Sequence, residues 1–301
     1  MEQLSELLRE IDISKKKTIA VAQAANKGVL QAIQNALDFH LCSFILFGDQ
    51  EKIKMIAANI HLNVDQNNIT IVHVQDDRNV PYETMKVVAS DEVDVLMKGD
   101  ISTKELLTAV LDKNVGIRSD NILSQVALFE IPDREKLIFL TDAGMNIAPS
   151  LKEKAQIIHN AVQVANRVGI HLPKVAPIAA VEHVNPSMQA TMDGASLTQM
   201  QRRNQITDCI VDGPLAFDNA VNKESAVEKR ISSEVAGDAD ILLVPTIEVG
   251  NALYKSFVYF AHAKVASIIY GANIPIVLTS RSDSAENKLY SIALALLSSN
   301  H

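Results

Sequence analysis

GIRSDNILSQVALFEIPDREKLIFLTD, residues 116–142, holds two strand-like apolar runs on either side of Pro132-Asp133 with no room between them for a helix. So short a link predicts an antiparallel hairpin, because parallel neighbours need a crossover of a dozen or more residues. On both sides of this stretch the chain alternates differently. Apolar, β-rich runs recur at TIAVAQ (18–23), SFILFG (43–48), ITIVHV (69–74), VDVLMKG (93–99), LIFLTD (137–142), KVAPIAA (174–180), DCIVDGP (208–214), DILLVP (240–245) and IPIVLTS (274–280). Between them KGVLQAIQNALDF (27–39), ISTKELLTAVLDK (101–113) and SLKEKAQIIHNAVQVANRV (150–168) space their apolar residues at helical period. The runs are apolar on both faces, as parallel strands covered by helices on either side require. The expectation is two doubly wound α/β domains with mainly parallel sheets. A hairpin midway is where one sheet ends and another begins, which puts the second domain at 138–266. The first is 1–137, completed by a returning strand and helix in 267–301.

Composition agrees with this class. The 301 residues exceed the usual single-core size, and 48% hydrophobic with 21% charged content is ordinary for a globular protein. A formal charge of −8 without Lys/Arg clusters argues against nucleic acid as a partner. Cys42 and Cys209 sit in separate apolar stretches and read as buried thiols of a reducing compartment. The N-terminus lacks the pattern of a secretory signal, and no run reaches the ~18 apolar residues of a membrane span. A cytoplasmic protein without a membrane partner is expected.

In open parallel sheets ligands bind beyond the C-terminal ends of strands, so the residues following each run are the informative ones. After VDVLM comes Lys98-Gly99-Asp100-Ile101-Ser102-Thr103. A cation, a glycine and hydroxyls at a helix start suit an anion, and Ser102 or Thr103 equally suit a helix cap. Asp142 and Asp212 stand in turn-rich, small-residue loops, where a structural turn is the better reading than a metal ligand. Thr246 to Asn251 opens another helix, with Asn251 a candidate polar contact. IPIVLTS gives way to Ser280-Arg281-Ser282-Asp283-Ser284 just before a helical pattern. The planar fork of Arg281 matches phosphate or carboxylate in a bidentate way. No GxxxxGK[ST], GxGxxG, HExxH or GxSxG motif is present, which weakens ATP, NAD, metal and serine-nucleophile readings.

Several stretches together resemble the phosphate acetyltransferase/phosphate butyryltransferase family, the butyryl branch most closely. They are VDVLMKGDISTKELLTAVLDK, LTDAGMNIAPSLKEKAQI, PKVAPIAAVEHVNP, CIVDGPLAFDNA, VAGDADILLVPTIEVGNALYKSFVYFAHAKVA and PIVLTSRSDSAENKLYSIALA, near-continuous from about 90 to 298. The resemblance implies two α/β domains with an interdomain active-site cleft, and transfer of a short acyl group between coenzyme A and inorganic phosphate. It implies no metal or redox cofactor, with coenzyme A as substrate or product, and a homo-oligomer of at least two chains. The family's active-site Ser-Arg pair falls on Ser280-Arg281. Acetyl-type members carry a second arginine in an RPALQ motif where this chain has Thr108-Ala109-Val110, so Lys98 or Arg118 is expected to supply that cation. Acetyl-type members also place an aspartate, the base for the coenzyme A thiol, seven residues after the serine. Here that residue is Asn287, and the base moves to Asp283 or Glu286, or none is needed for a thiol of pKa ~8.5. Acetyl-CoA preference, a metal- and NAD-dependent decarboxylating dehydrogenase, and a non-catalytic solute-binding protein are the rival readings.

Overall fold

The computed structural model describes every residue except Asp91, Arg118, Asp120, 279–282, Asn300 and His301. The chain divides into two compact units, 5–121 with 266–301, and 1–4 with 122–265. Both hairpin runs fall in the second unit, whereas the boundary expected at 137 separates them.

The first unit opens with α1 (Leu7–Glu10) and alternates β1 (Thr18–Ala22), α2 (Lys27–Asp38), β2 (Ser43–Gly48), α3 (Gln50–Asn59), β3 (Ile69–His73), α4 (Val80–Val88), β4 (Val95–Lys98) and α5 (Thr103–Val110). The second contributes β5 (Ser124–Glu130), β6 (Ile138–Thr141), α6 (Leu151–Arg167), β7 (Lys174–Pro177), α7 (Gln189–Arg202), β8 (Ile210–Val211), α8 (Phe217–Val221), α9 (Lys223–Glu228), β9 (Ile241–Leu243) and α10 (Ile247–Tyr259). The chain returns through β10 (Lys264–Tyr270), β11 (Ile276–Val277) and α11 (Ala285–Ser298).

In the first unit the strand order is β3-β2-β1-β4-β11, with all neighbours parallel. β10 runs antiparallel beside β11, Ile269 opposite Ile276. The sequence reading passes over β10. It follows α10 too closely to keep the alternating rhythm. All four residues of β4 and the last four of β1 are buried, while the edge strand β3 carries half-exposed positions. α2 begins where the Asn26 side chain accepts from the Gly28 and Val29 amides, and buries Val29, Leu30, Ala32, Ile33, Ala36 and Leu37. Each large aliphatic side chain so buried contributes about 1.5–3 kcal/mol.

In the second unit the order is β5-β6-β9-β7-β8. β5 and β6 form the expected antiparallel hairpin and the other neighbours are parallel. α6 starts in a capping box of Ser150 and Glu153. Its core centres on Phe129, which meets Tyr254 and Phe257 edge-on with ring centroids 5.2 Å away in each case, the geometry ring quadrupoles favour.

Candidate active site

The sheet of the first unit brings three strand ends together. Ala22 of β1 pairs with Lys98 of β4, and Val277 of β11 pairs with Met97, so the chain leaves each strand along one edge. Beyond β1, Gln23 takes a left-handed conformation, φ 59°. Its carbonyl accepts from the Asp100 amide at 2.7 Å, and the Gly99 amide donates to Ala22 O at 2.8 Å. A Cβ on Gly99 would lie 1.9 Å from Gln23 O, so only glycine permits this approach.

Lys98 is 8% exposed and its ammonium turns onto the loop, donating to Gly99 O at 3.2 Å and Ile101 O at 2.9 Å. It therefore ties the β4–α5 turn together. Ser102 is the N-cap of α5: its Oγ accepts from the Glu105 amide, and Glu105 Oε2 in turn accepts from the Ser102 amide and hydroxyl. These bonds hold the Glu105 carboxyl below its ordinary pKa, the serine hydroxyl contributing most. Thr103 is exposed at the first helical position. Of the two readings of Ser102, the structure has the cap. Next to it lies a cavity of about 690 Å³ whose wall includes Gln23, Tyr82, Ile101, Ser102, Lys104 and Thr108. Arg78, Asp77, Asp100 and Glu105 also line it, so the cavity carries charges of both signs beside an apolar face, and the start of α5 within it is already capped by Ser102 and Glu105.

Ser280, Arg281 and Arg118 lie outside the described residues. The chain is described again from Asp283, which is half-buried, and Ser284 caps α11 by accepting from the Asn287 amide at 3.1 Å. Asn287 is half-buried at the third helical position, and Glu286 is exposed with its carboxylate accepting from Tyr290 OH at 2.8 Å. Lys98, Ser102, Thr103, Asp283 and Asn287 thus belong to one unit, at the end of β4 and at the starts of α5 and α11. Asn251 is exposed on α10 of the other unit.

Asp142 is a structural residue. Its carboxylate accepts from the Gly144, Met145 and Asn146 amides and from Asn146 Nδ2 at 2.6 Å. Burial pushes its pKa up, against those bonds. Among the described residues no group of three or more His, Cys, Asp or Glu is placed to hold a metal ion. No described helix is long and apolar enough to cross a membrane.

Sequence reasoning missed Lys288. It is 4% exposed on α11 and donates to the main-chain oxygen of Asp283. The one signal was its position, a lone cation leading the apolar run LYSIALALL.

A family model described as "Phosphate acetyl/butaryl transferase" matches residues 75–296. The chain is 52% identical over 300 residues to a "Probable phosphate butyryltransferase" of Bacillus subtilis (strain 168), covering 98% of each. It is 44% identical to a phosphate butyryltransferase of Clostridium beijerinckii, over 97% of this chain and 96% of that one. Among solved structures, a branched-chain phosphotransacylase from Enterococcus faecalis V583 superposes with a TM-score of 0.82 at 38% identity, covering 95% of this chain and 99% of the other.

Proposed function

The chain belongs to the phosphate acetyl/butyryl transferase family, phosphate acyltransferases of short-chain acyl-CoA, and we propose that it prefers butyryl or branched short-chain groups to acetyl. The observation that carries this reading is 52% identity along 98% of the chain to a relative named for butyryl transfer. The branched-chain phosphotransacylase adds support from structure.

In the proposed reaction a phosphate oxygen attacks the thioester carbon, the C–S bond breaks, and coenzyme A leaves as the thiolate while acyl phosphate forms. Three charges must be managed: the phosphate, the developing oxyanion and the thiolate. Arg281 meets the phosphate with its two parallel donors, and Ser280 beside it supplies a hydroxyl. Asp283 exchanges the thiol proton, with Asn287 as a neutral polar contact. Lys98 acts by shaping the β4–α5 turn, and Arg118 is the remaining cation for phosphate. Thr103 is an exposed polar contact for the substrates. No cofactor is required by these steps. The enzyme acts in the cytoplasm as a homo-oligomer.

The test is the specificity constant for phosphate-dependent thiol release from acetyl-, butyryl- and isobutyryl-CoA. One methylene in an apolar pocket is worth about 10–200-fold, so butyryl-CoA is expected to exceed acetyl-CoA by at least about tenfold. Preference for acetyl-CoA overturns the subfamily reading. Absence of phosphate-dependent release from all three overturns acyl transfer itself.

A further inference from the structure

Gln23, the residue that follows β1, is 9% exposed and lines the cavity of about 690 Å³. Its side-chain oxygen is buried and has no hydrogen-bond partner among the described residues. That oxygen is pressed against the end of β2: a Cβ built on Gly48, φ 140°, would lie 2.4 Å from Gln23 Oε1. Backbone bonds hold the residue there, from the Asp100 amide to Gln23 O at 2.7 Å and from the Ala24 amide to Phe47 O at 2.9 Å. A glutamine kept in the left-handed region, φ 59°, with an unmet carboxamide oxygen is costly on both counts. Such strain persists only where the surroundings over-determine it, and ligand sites are where it collects.

The charges of the wall limit what the carboxamide can meet. Two cations, Arg78 and Lys104, stand against three carboxylates, Asp77, Asp100 and Glu105. Arg78 is moreover engaged by the Asp76 carboxylate at 2.7 Å. A wall with more carboxylates than cations repels a polyphosphate. Pro81, Tyr82 and Ile101 supply its apolar part. An uncharged, amide-bearing chain with apolar carbons suits such a lining, and a volume of this size holds far more than a butyryl group. Acyl-CoA contains that chain: between the phosphorylated nucleotide and the thioester runs the pantetheine arm, with two amides, a gem-dimethyl group and no charge. A carboxamide matches an amide in both directions, because each offers N–H donors and a carbonyl acceptor.

We infer that Gln23 is a binding residue for the pantetheine arm of coenzyme A, its carboxamide pairing with an amide of the arm while Pro81, Tyr82 and Ile101 cover the arm's carbons. The inference rests on the acyl-transfer reading for the identity of the ligand, and adds to it a residue and the segment of substrate that residue holds.

The experiment titrates coenzyme A and, separately, 3′-phosphoadenosine 5′-diphosphate, its nucleotide end without the arm, calorimetrically into the wild type, Gln23→Met and Gln23→Leu. Thermal midpoints and kinetics with acetyl- and butyryl-CoA accompany the titrations. Both variants remove the amide and keep an apolar side chain, so each should weaken coenzyme A by at least about tenfold, the range for a buried amide left unmet. Affinity for the nucleotide should not change. The midpoint of Gln23→Met should hold or rise, because a buried polar group without a partner has gone. Unchanged coenzyme A affinity with a lower midpoint makes Gln23 a scaffold residue and overturns the inference. Equal losses for coenzyme A and the nucleotide overturn it as well, since the arm is then not what Gln23 holds. Unchanged coenzyme A affinity with an altered ratio of butyryl- to acetyl-CoA specificity gives the cavity to the acyl chain and also overturns it. A wild type that binds coenzyme A yet shows no phosphate-dependent thiol release sinks the acyl-transfer reading, and the calorimetric comparison still decides the role of Gln23.

Discussion

Lys154 and Lys288 are buried to the same degree, 5% and 4% exposed, and they are treated in opposite ways. Lys154, in the first turn of α6, meets the Asp193 carboxylate at 2.6 Å, and the other carboxylate oxygen accepts from Gln189 Nε2 at 2.8 Å. The two charged side chains are 6% and 7% exposed, so the pair is sealed as a neutral unit joining α6 to α7. Lys288 is given only a main-chain oxygen among the described residues. The contrast separates two uses of burial. A cation with a buried carboxylate partner joins two helices as a neutral pair, whereas Lys288 ties the start of its own helix through a main-chain oxygen.

The largest effect is expected where the scaffold pair is broken. Lys154→Met strands the Asp193 carboxylate and should cost about 3–5 kcal/mol in urea unfolding, whereas Lys154→Met with Asp193→Leu should be close to neutral or stabilising. If the single variant loses less than about 1 kcal/mol, Lys154 is not a scaffold charge and the contrast with Lys288 fails.

Arg281→Ala should act on turnover rather than on the scaffold that Lys154 joins. Turnover should fall by about 10²–10³, the usual loss for a removed electrostatic donor, while the thermal midpoint stays near that of the wild type. Lysine at this position should rescue poorly because it lacks the bidentate fork. A variant with normal turnover removes Arg281 from the site, and a variant that merely unfolds earlier makes it a scaffold residue like Lys154.

How much of this was legible beforehand follows from what each feature depends on. The parallel strands could be read because burial on both faces makes them apolar almost throughout, as in β4, where only the final Lys98 is polar, and β6, where only the final Thr141 is. The hairpin could be read because the link around Pro132-Asp133 cannot hold a helix. Ser102 with Glu105 and Ser150 with Glu153 have capping-box spacing, a local signal. The short α8 and α9 lack enough turns to show a period, and β10 breaks the alternation by pairing antiparallel with β11. The assignment of Ser280-Arg281 came from family resemblance, since an arginine in a polar turn has no signature of its own. Lys288 was illegible for a tertiary reason. A lysine in a helix reads as solvated, and what seals this one is the first turn of α2, about 260 residues earlier in the chain.

The smallest effect is expected from charges that are paired but not buried. Lys136 Nζ meets Asp238 Oδ1 at 2.6 Å and Asp240 Oδ1 at 2.9 Å, and Lys174 Nζ meets Asp238 Oδ2 at 2.5 Å. The Asp238 side chain is 51% exposed, so solvent screens the network. Partial burial raises the Asp238 pKa, but the hydrogen bonds from Lys136 and Lys174 outweigh it and hold the carboxyl below its ordinary value. A group with a depressed folded pKa contributes stability above its unfolded value, near pH 4, and that contribution disappears as pH falls through the folded value. Lys174 is shifted the other way, upward through its hydrogen bond to Asp238, so its share is present at neutral pH and is lost only as pH rises through the raised lysine value. Asp238→Asn should therefore cost no more than about 1 kcal/mol at pH 7 and less in 1 M salt. The difference from wild type should shrink steadily in urea unfolding at pH 5, 4 and 3. A loss that matches Lys154→Met, or one that grows on acidification, would mean that pairing rather than burial decides which charges hold this protein together.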